Sequence, residues 1–223
     1  MLKMDFHIHS HYSDDARGSP KEIIQAVQNK GLHGMAITDH NSIKGGLAAQ
    51  KLSSKTFLVI PGVEISTKVG HLLALNVTTD IPKNLPLQDT IECIINNGGT
   101  PIIPHLFRTM SGVKKNKLLE VKKSINAIEV YNSCSQPTTN FKTATLAKQY
   151  HFGGTGGSDS HEPMYAGCAY TTINTTDLSI DTILTEIEKK KTWGMGQTLP
   201  LTYRRDRMVH SLKQFFQRGF KRI

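Results

Sequence analysis

The chain begins by alternating. Leu2, Met4, Phe6 and Ile8 are apolar, and Asp5, His7 and His9 fall between them, the period-two pattern of a strand with two unlike faces. His7 and His9 therefore project side by side. Further on, "SPKEIIQAVQNKGLHG" offers Ser19 as N-cap, Pro20 at the first helical position, Glu22 to complete a Ser-x-x-Glu box and Gly31 as the stop, and so predicts a helix. The apolar run "GMAIT" predicts a buried strand ending at "DHN". A short helix through "IKGGLAAQKL" then leads to the strand "FLVI" and the loop "PGVEIS".

The same grammar continues along the chain. "HLLALNV" reads as a strand, "LPLQDTIECIINNGG" as a helix ended by glycines, and "TPIIPH" as a strand that runs into His105. There follow a helix near "KLLEVKKSI", the strand "AIEVYN", the helix "TTNFKTATLAKQYH", the glycine-flanked "GGTGGSDSH", the strand "AYTTI" and the helix "LSIDTILTEIEKKK". Repeated strand–helix units with buried strands mean a parallel sheet, open or closed into a barrel. About seven units favour an α/β fold of the distorted (β/α)7, TIM-like barrel type over two separate domains. The expected division is a domain over residues 1–195 and a tail over 196–223.

Composition narrows the class. With 223 residues, 38% of them hydrophobic, the chain can bury a substantial core. No apolar run approaches the roughly 18 to 20 residues of a membrane helix, and no charged-then-apolar leader opens the chain, so a transmembrane segment is not expected and the cytoplasm is the expected location. Cys93, Cys134 and Cys168 are odd in number and in no Cys-x-x-Cys spacing, which argues for reduced thiols rather than a disulfide framework or a thiolate zinc site.

Charge changes the picture only at the end of the chain. Residues 203–223 hold seven Lys/Arg against one Asp, so +6 of the formal +9 sits there. In "YRRDRMVHSLKQFFQRGFKRI", Met208, Leu212, Phe215, Phe216 and Phe220 approximate one helical face with basic residues around them. That face is expected either to dock on the barrel or to bring the tail to nucleic acid or an anionic surface.

The polar residues of the body fall at strand ends. His7 and His9, His40, Glu64, His105, Asp159 and His161 each lie in, or just beyond, the last residues of a predicted strand, and in a parallel barrel those ends share one rim, where active sites are built. A His-x-His pair alone fits a polar pair in a wet core as well as a metal clamp. Seven coincidences at one rim do not. Ser-His-Asp catalysis needs one histidine and general acid–base catalysis two groups, whereas several metal ions need more. Nitrogen and oxygen donors without thiolate suit Mn²⁺, Zn²⁺ or Fe²⁺.

In this order, "HIHSHYSDD", "ITDHN", "GVEIS", "GHLLAL", "PHLFR", "IEVYN" and "GSDSH" resemble the motifs of the polymerase and histidinol phosphatase (PHP) family of metal-dependent phosphoesterases. The resemblance spans residues 5 to about 173 and implies a distorted seven-stranded barrel with up to three divalent metal ions. It implies that His7, His9, Glu64 and Asp159 hold one metal, Asp14, His40 and His161 a second, and Glu64, His71 and His105 a third. Asp15 stands where many relatives have glycine, which leaves the choice between Asp14 and Asp15 open. Arg108 resembles the family arginine that grips substrate phosphate, a task suited to a planar guanidinium.

His11, between His9 and Asp14, is placed to touch substrate, and Tyr131 and Asn132 to line its side of the site. Asp39, beside His40, is expected either to orient an imidazole or to cap the following helix. Three divalent ions against three carboxylates leave a positive excess that suits hydroxide and an anionic phosphate ester. The implied activity is hydrolysis of a phosphorylated substrate, a small molecule or a nucleic-acid end. An amidohydrolase-like metallohydrolase and a non-catalytic nucleic-acid-binding barrel are the alternatives.

Overall fold

The structure, a computed structural model, describes residues 1–217 and 219. Phe220, one of the tail aromatics, lies outside the described residues, as does the side chain of Phe215. In chain order the elements are β1 (Leu2–Ile8), α1 (Pro20–Asn29), β2 (Gly34–Ile37), α2 (Lys44–Gln50), β3 (Leu58–Thr67), β4 (Gly70–Leu75), α3 (Leu87–Asn96) and β5 (Thr100–Ile103). They continue with α4 (Lys115–Glu120), β6 (Ala127–Asn132), α5 (Pro137–Tyr150), β7 (Gly153–Gly157), β8 (Ala169–Ile173), α6 (Ile180–Glu188), β9 (Thr192–Gly196) and α7 (Leu201–Gln217).

The strands form one sheet in the order β7-β6-β5-β4-β3-β2-β1-β8-β9. The sheet curls until its β7 end returns to β1. Ile8 bridges Ser160 in parallel, His9 N–H donates to Ser160 O at 2.9 Å, and Asp159 N–H donates to His7 O at 2.7 Å. The result is an α/β fold around a nearly closed, barrel-shaped sheet.

Local signals act as their chemistry requires. The Ser19 side chain accepts from Glu22 N–H while the Glu22 carboxylate accepts from Ser19 N–H, so both orphan donors at the start of α1 are satisfied. One stripe of α1, Ile23, Ile24 and Val27, is buried with Met35, Ile37 and Val59 of the sheet. Each such side chain contributes about 1.5–3 kcal/mol by leaving water. β1 is buried along nearly its whole length on both faces, so its apolar residues fill the wall of the barrel and its polar ones are sealed inside.

The sheet departs from the all-parallel expectation in two places. β3 runs through "PGVEIS" as one ten-residue strand and turns directly into β4, with Ser66 opposite His71. Only Lys68 and Val69 connect them, and two residues can make a hairpin but not the crossover a parallel partner needs. β4 is therefore antiparallel to both β3 and β5. β8, the expected strand "AYTTI", pairs antiparallel with β1, and β9, a strand beyond those expected, pairs antiparallel with β8. They also lie close over β7, whose sequence is Gly-Gly-Thr-Gly-Gly: a Cβ at Gly156 would meet Tyr170 O at 2.4 Å. Among the described residues no helix is long and apolar enough to cross a membrane.

Candidate metal centre

The rim of the barrel is assembled from six stretches of chain. β1 supplies His7, and His9 follows it by one residue; the bend after β2 supplies His40, and β3 supplies Glu64, paired with His40 through an isolated bridge. His105 follows β5, and Asp159 and His161 follow β7. His105 and Asp159 both have positive φ, 29° and 52°, a backbone region that ordinary side chains visit rarely. His71 joins because β4 runs backward, which brings its first residues to the rim where the parallel strands end.

Glu64 lies at the centre. Its Oε1 is 2.9 Å from His71 Nδ1 and 2.8 Å from His105 Nε2, and its Oε2 is 3.1 Å from His40 Nδ1, 3.3 Å from His9 Nε2 and 3.5 Å from His7 Nε2. Asp159 Oδ1 lies 3.4 Å from His9 Nε2 and 3.6 Å from His7 Nε2. Burial would raise Glu64, but His71, His7 and His40 outweigh it and hold its carboxyl well below the usual carboxylate range. Burial works against charge on His9, yet the Asp159 and Glu64 carboxylates lift it to about 9. His105 and His161 fall to about 4 and about 3, through burial first and then the neighbouring positive charge of Arg108 and His9 respectively.

The donor set fits divalent cations. His7 Nε2, His9 Nε2, His40 Nδ1 and His161 Nε2 are buried with no hydrogen-bond partner, a costly state for ring nitrogens unless something else occupies them. They converge: the ligand atoms of His7, His9 and Glu64, of His9, His40 and His161, of His40, Glu64 and His71, and of His7, His105 and Asp159 lie within 4.8 Å of one another in each group. Imidazole and carboxylate donors in that spacing suit Zn²⁺, Mn²⁺ or Fe²⁺.

A second layer aims the first. Glu129 on β6, 2% exposed, takes His7 Nδ1–H at 2.9 Å on Oε1 and the His105 backbone N–H at 2.7 Å on Oε2. It thereby leaves His7 Nε2 to face the cluster. Asn132 Nδ2 donates to Glu129 and to Asp159, at 2.9 and 3.2 Å, and its Oδ1 accepts from Arg108 at 3.1 Å. Arg108 also pairs with Asp159 Oδ2 at 2.6 Å and keeps about a third of its side chain exposed at the mouth. Asp5 receives the N–H groups of His7, Ser158 and Gly167, tying β1 to the loops after β7, and burial pushes its carboxyl up to about 6.

Two expectations change. Asp14 is exposed, and Asp15 takes the place expected for it, with Oδ2 3.3 Å from His161 Nε2 and 3.8 Å from His40 Nε2. The cause is a turn: Ala16 N–H donates to Ser13 O, which turns Asp14 outward and Asp15 inward. Among the described residues no imidazole hydrogen-bonds Asp39. It accepts from Ser10 N–H and Oγ at 2.7 Å and from Ser13 Oγ at 2.8 Å, and so pins the loop that carries Asp15. His11 stays outside the cluster, exposed, with its ring nitrogen 3.2 Å from Gly18 O and its ring against Tyr12.

The tail helix begins at Leu201, and Met208 and Leu212 of its apolar stripe are exposed. It meets the body through Arg207, which reaches Asp15, and through the ring of Tyr203 against that of Tyr165. Sequence reasoning does not single out Glu129 or Arg207. A charged residue inside the apolar strand "AIEV" was the signal for Glu129, and Arg207 had none.

Comparison with known proteins is consistent with this geometry. Residues 5–153 match the PHP domain family, and residues 137–192 match the PHP-associated family. An uncharacterized protein of Methanocaldococcus jannaschii is 33% identical over 143 residues, covering 59% of this chain and 82% of the relative. The fold resembles a two-domain protein of Bacteroides vulgatus described as containing a predicted PHP-like metal-dependent phosphoesterase, at TM-score 0.75 and 17% identity over 88% of this chain. This chain spans 65% of that protein. It also resembles a lesion-specific endonuclease from Pyrococcus furiosus, at TM-score 0.63 and 19% identity over 87% of this chain and 57% of the other.

Proposed function

Because this chain belongs to the PHP-domain family, we propose that it is a metal-dependent phosphoesterase, hydrolysing a phosphomonoester or the phosphate at a nucleic-acid end. The observation that carries the reading is the convergence of unpartnered buried imidazoles on Glu64 and Asp159 beside an arginine. The proposed ligand sets are His7, His9, Glu64 and Asp159; Asp15, His40 and His161; and Glu64, His71 and His105. Those residues would hold divalent ions, which would supply Lewis acidity toward phosphoryl oxygens and lower the pKa of water.

The chain's own groups do the rest. Arg108 presents a planar fork of N–H donors at the mouth, suited to two oxygens of one phosphoryl group. Asn132 holds that guanidinium in place through Oδ1. Glu129 fixes the His7 tautomer and keeps its ring aimed inward. Two structural neighbours, one described as containing a predicted metal-dependent phosphoesterase and one as a lesion-specific endonuclease, support a phosphate ester as substrate and leave nucleic acid within the class.

The test is metal analysis followed by a phosphate-release screen over histidinol phosphate, mononucleotides, oligonucleotide ends and sugar phosphates. Release should require bound metal. His40→Ala and Asp159→Ala should lose metal and activity together, whereas Arg108→Ala should keep metal and lose mainly phosphate affinity, a rise in KM. A metal-loaded protein that releases no phosphate from any of the four groups would overturn the reading.

A further inference from the structure

The metal ligands of the proposed centre come from the barrel, but one of them is held from outside it. Arg207, two turns into α7, spans the rim to Asp15: one terminal nitrogen donates to the Asp15 backbone oxygen at 3.1 Å and the other to Oδ2 at 3.2 Å. A guanidinium that grips main chain and side chain of the same residue fixes both the turn and the rotamer. The grip is partly sealed, with Arg207 20% and Asp15 5% exposed at the side chain. Asp15 Oδ2 faces His161 and His40, and Oδ1 is buried with no hydrogen-bond partner.

The helix is anchored for this contact. Ahead of it, Leu199 N–H donates to Ser133 O at 2.9 Å, next to Asn132, and Arg204 Nε donates back to Leu199 O at 3.0 Å. Tyr203, four residues before Arg207 and so on the same helical face, sets its ring 4.2 Å from that of Tyr165. The proximal turns of α7 thus pack on the rim while Met208 and Leu212 point away.

We propose that Arg207 is a positioning residue for the metal centre: it holds Asp15 turned toward His40 and His161, so that α7 completes the site the barrel begins. The inference rests on the metal-dependent reading above. It assigns the proximal part of the basic tail to the enzyme body.

The experiment is Zn²⁺ titration of the full chain against a chromogenic chelator, with metal counts, for wild type, Arg207→Ala, Arg207→Lys, Asp15→Asn and, as a charge control, Arg205→Ala. Arg205 is exposed and bonds its neighbour Asp206. Arg207→Ala should weaken one Zn²⁺ equivalent by about 10–100-fold, the size typical of groups that orient ligands, and leave the others unchanged. Asp15→Asn should affect the same equivalent, Arg207→Lys should recover part of the loss, and Arg205→Ala should match wild type. Inhibition by inorganic phosphate is measured in parallel. Unchanged Zn²⁺ affinity in Arg207→Ala overturns the proposal, and weakened phosphate inhibition at unchanged Zn²⁺ affinity overturns it in favour of direct substrate contact. A wild type that binds no Zn²⁺, Mn²⁺ or Fe²⁺ would instead remove the metal-dependent reading itself.

Discussion

Asp14 and Asp15 are chemically identical neighbours that one turn separates into a surface charge and a site residue. Asp15→Ala should therefore cost a metal equivalent, whereas Asp14→Ala should leave metal content unchanged and stability within about 0.5 kcal/mol, the ordinary range for surface substitutions. Elemental analysis and urea denaturation of the two variants check both halves. Glu129 makes a subtler case, since it is not among the proposed ligands and acts by holding His7 Nδ1–H and His105 N–H. Replacing it with glutamine keeps an acceptor but removes the charge, and Zn²⁺ affinity should fall by about tenfold or more. Identical affinities in a chelator competition would show that His7 needs no such partner. The sequence made His7 and His9 legible because strand geometry alone puts them on one face. It left Glu129 obscure, because His7 lies 122 positions away.

Among the elements, β7 has the least side chain and the most constraint. A Cβ at Gly157 would lie 2.3 Å from His7 Cβ and 2.5 Å from Glu129 Oε1, so Gly157→Ala must push apart the strand that carries His7 and the carboxylate that orients it. We expect a loss of about 1–3 kcal/mol, as for other overpacked interiors, together with weaker metal binding; denaturant midpoints and metal counts on the same samples read both. α7 divides in the other direction. Its proximal turns sit on the rim, while residues 209–223 carry four Lys/Arg and no Asp/Glu. Deleting 209–223 should leave Zn²⁺ binding and small-ester turnover intact and weaken binding to single-stranded nucleic acid, with a shallower salt dependence because fewer phosphates are neutralised. Equal binding and equal salt slopes with and without the segment would end that expectation. A cut at Thr202 would remove Arg207 as well and confound the two parts.

For the molecule as a whole, metal and fold are linked, because a cation that binds only the assembled rim stabilises it by mass action. At free metal about one hundred times Kd, each site contributes about 2.7 kcal/mol. In a chain of this size that corresponds to about 5–10 °C in Tm per site, so chelation should lower the melting temperature by at least that much and Zn²⁺ should restore it. A Tm indifferent to chelator would mean the buried imidazoles are satisfied without metal. The amino-acid sequence by itself determined what depends on near neighbours: the period of β1, the capped start of α1, the glycine stops, the recurrence of strand and helix, and the gathering of imidazoles at strand ends. Tertiary structure decided what depends on chain direction and on partners far along the chain. The antiparallel β4 delivers His71 to the rim, Asp39 pins the loop whose turn sets Asp15 rather than Asp14 inward, and Arg207 reaches a residue 192 positions before it. Such contacts follow from register and closure of the sheet, which no short window of residues encodes.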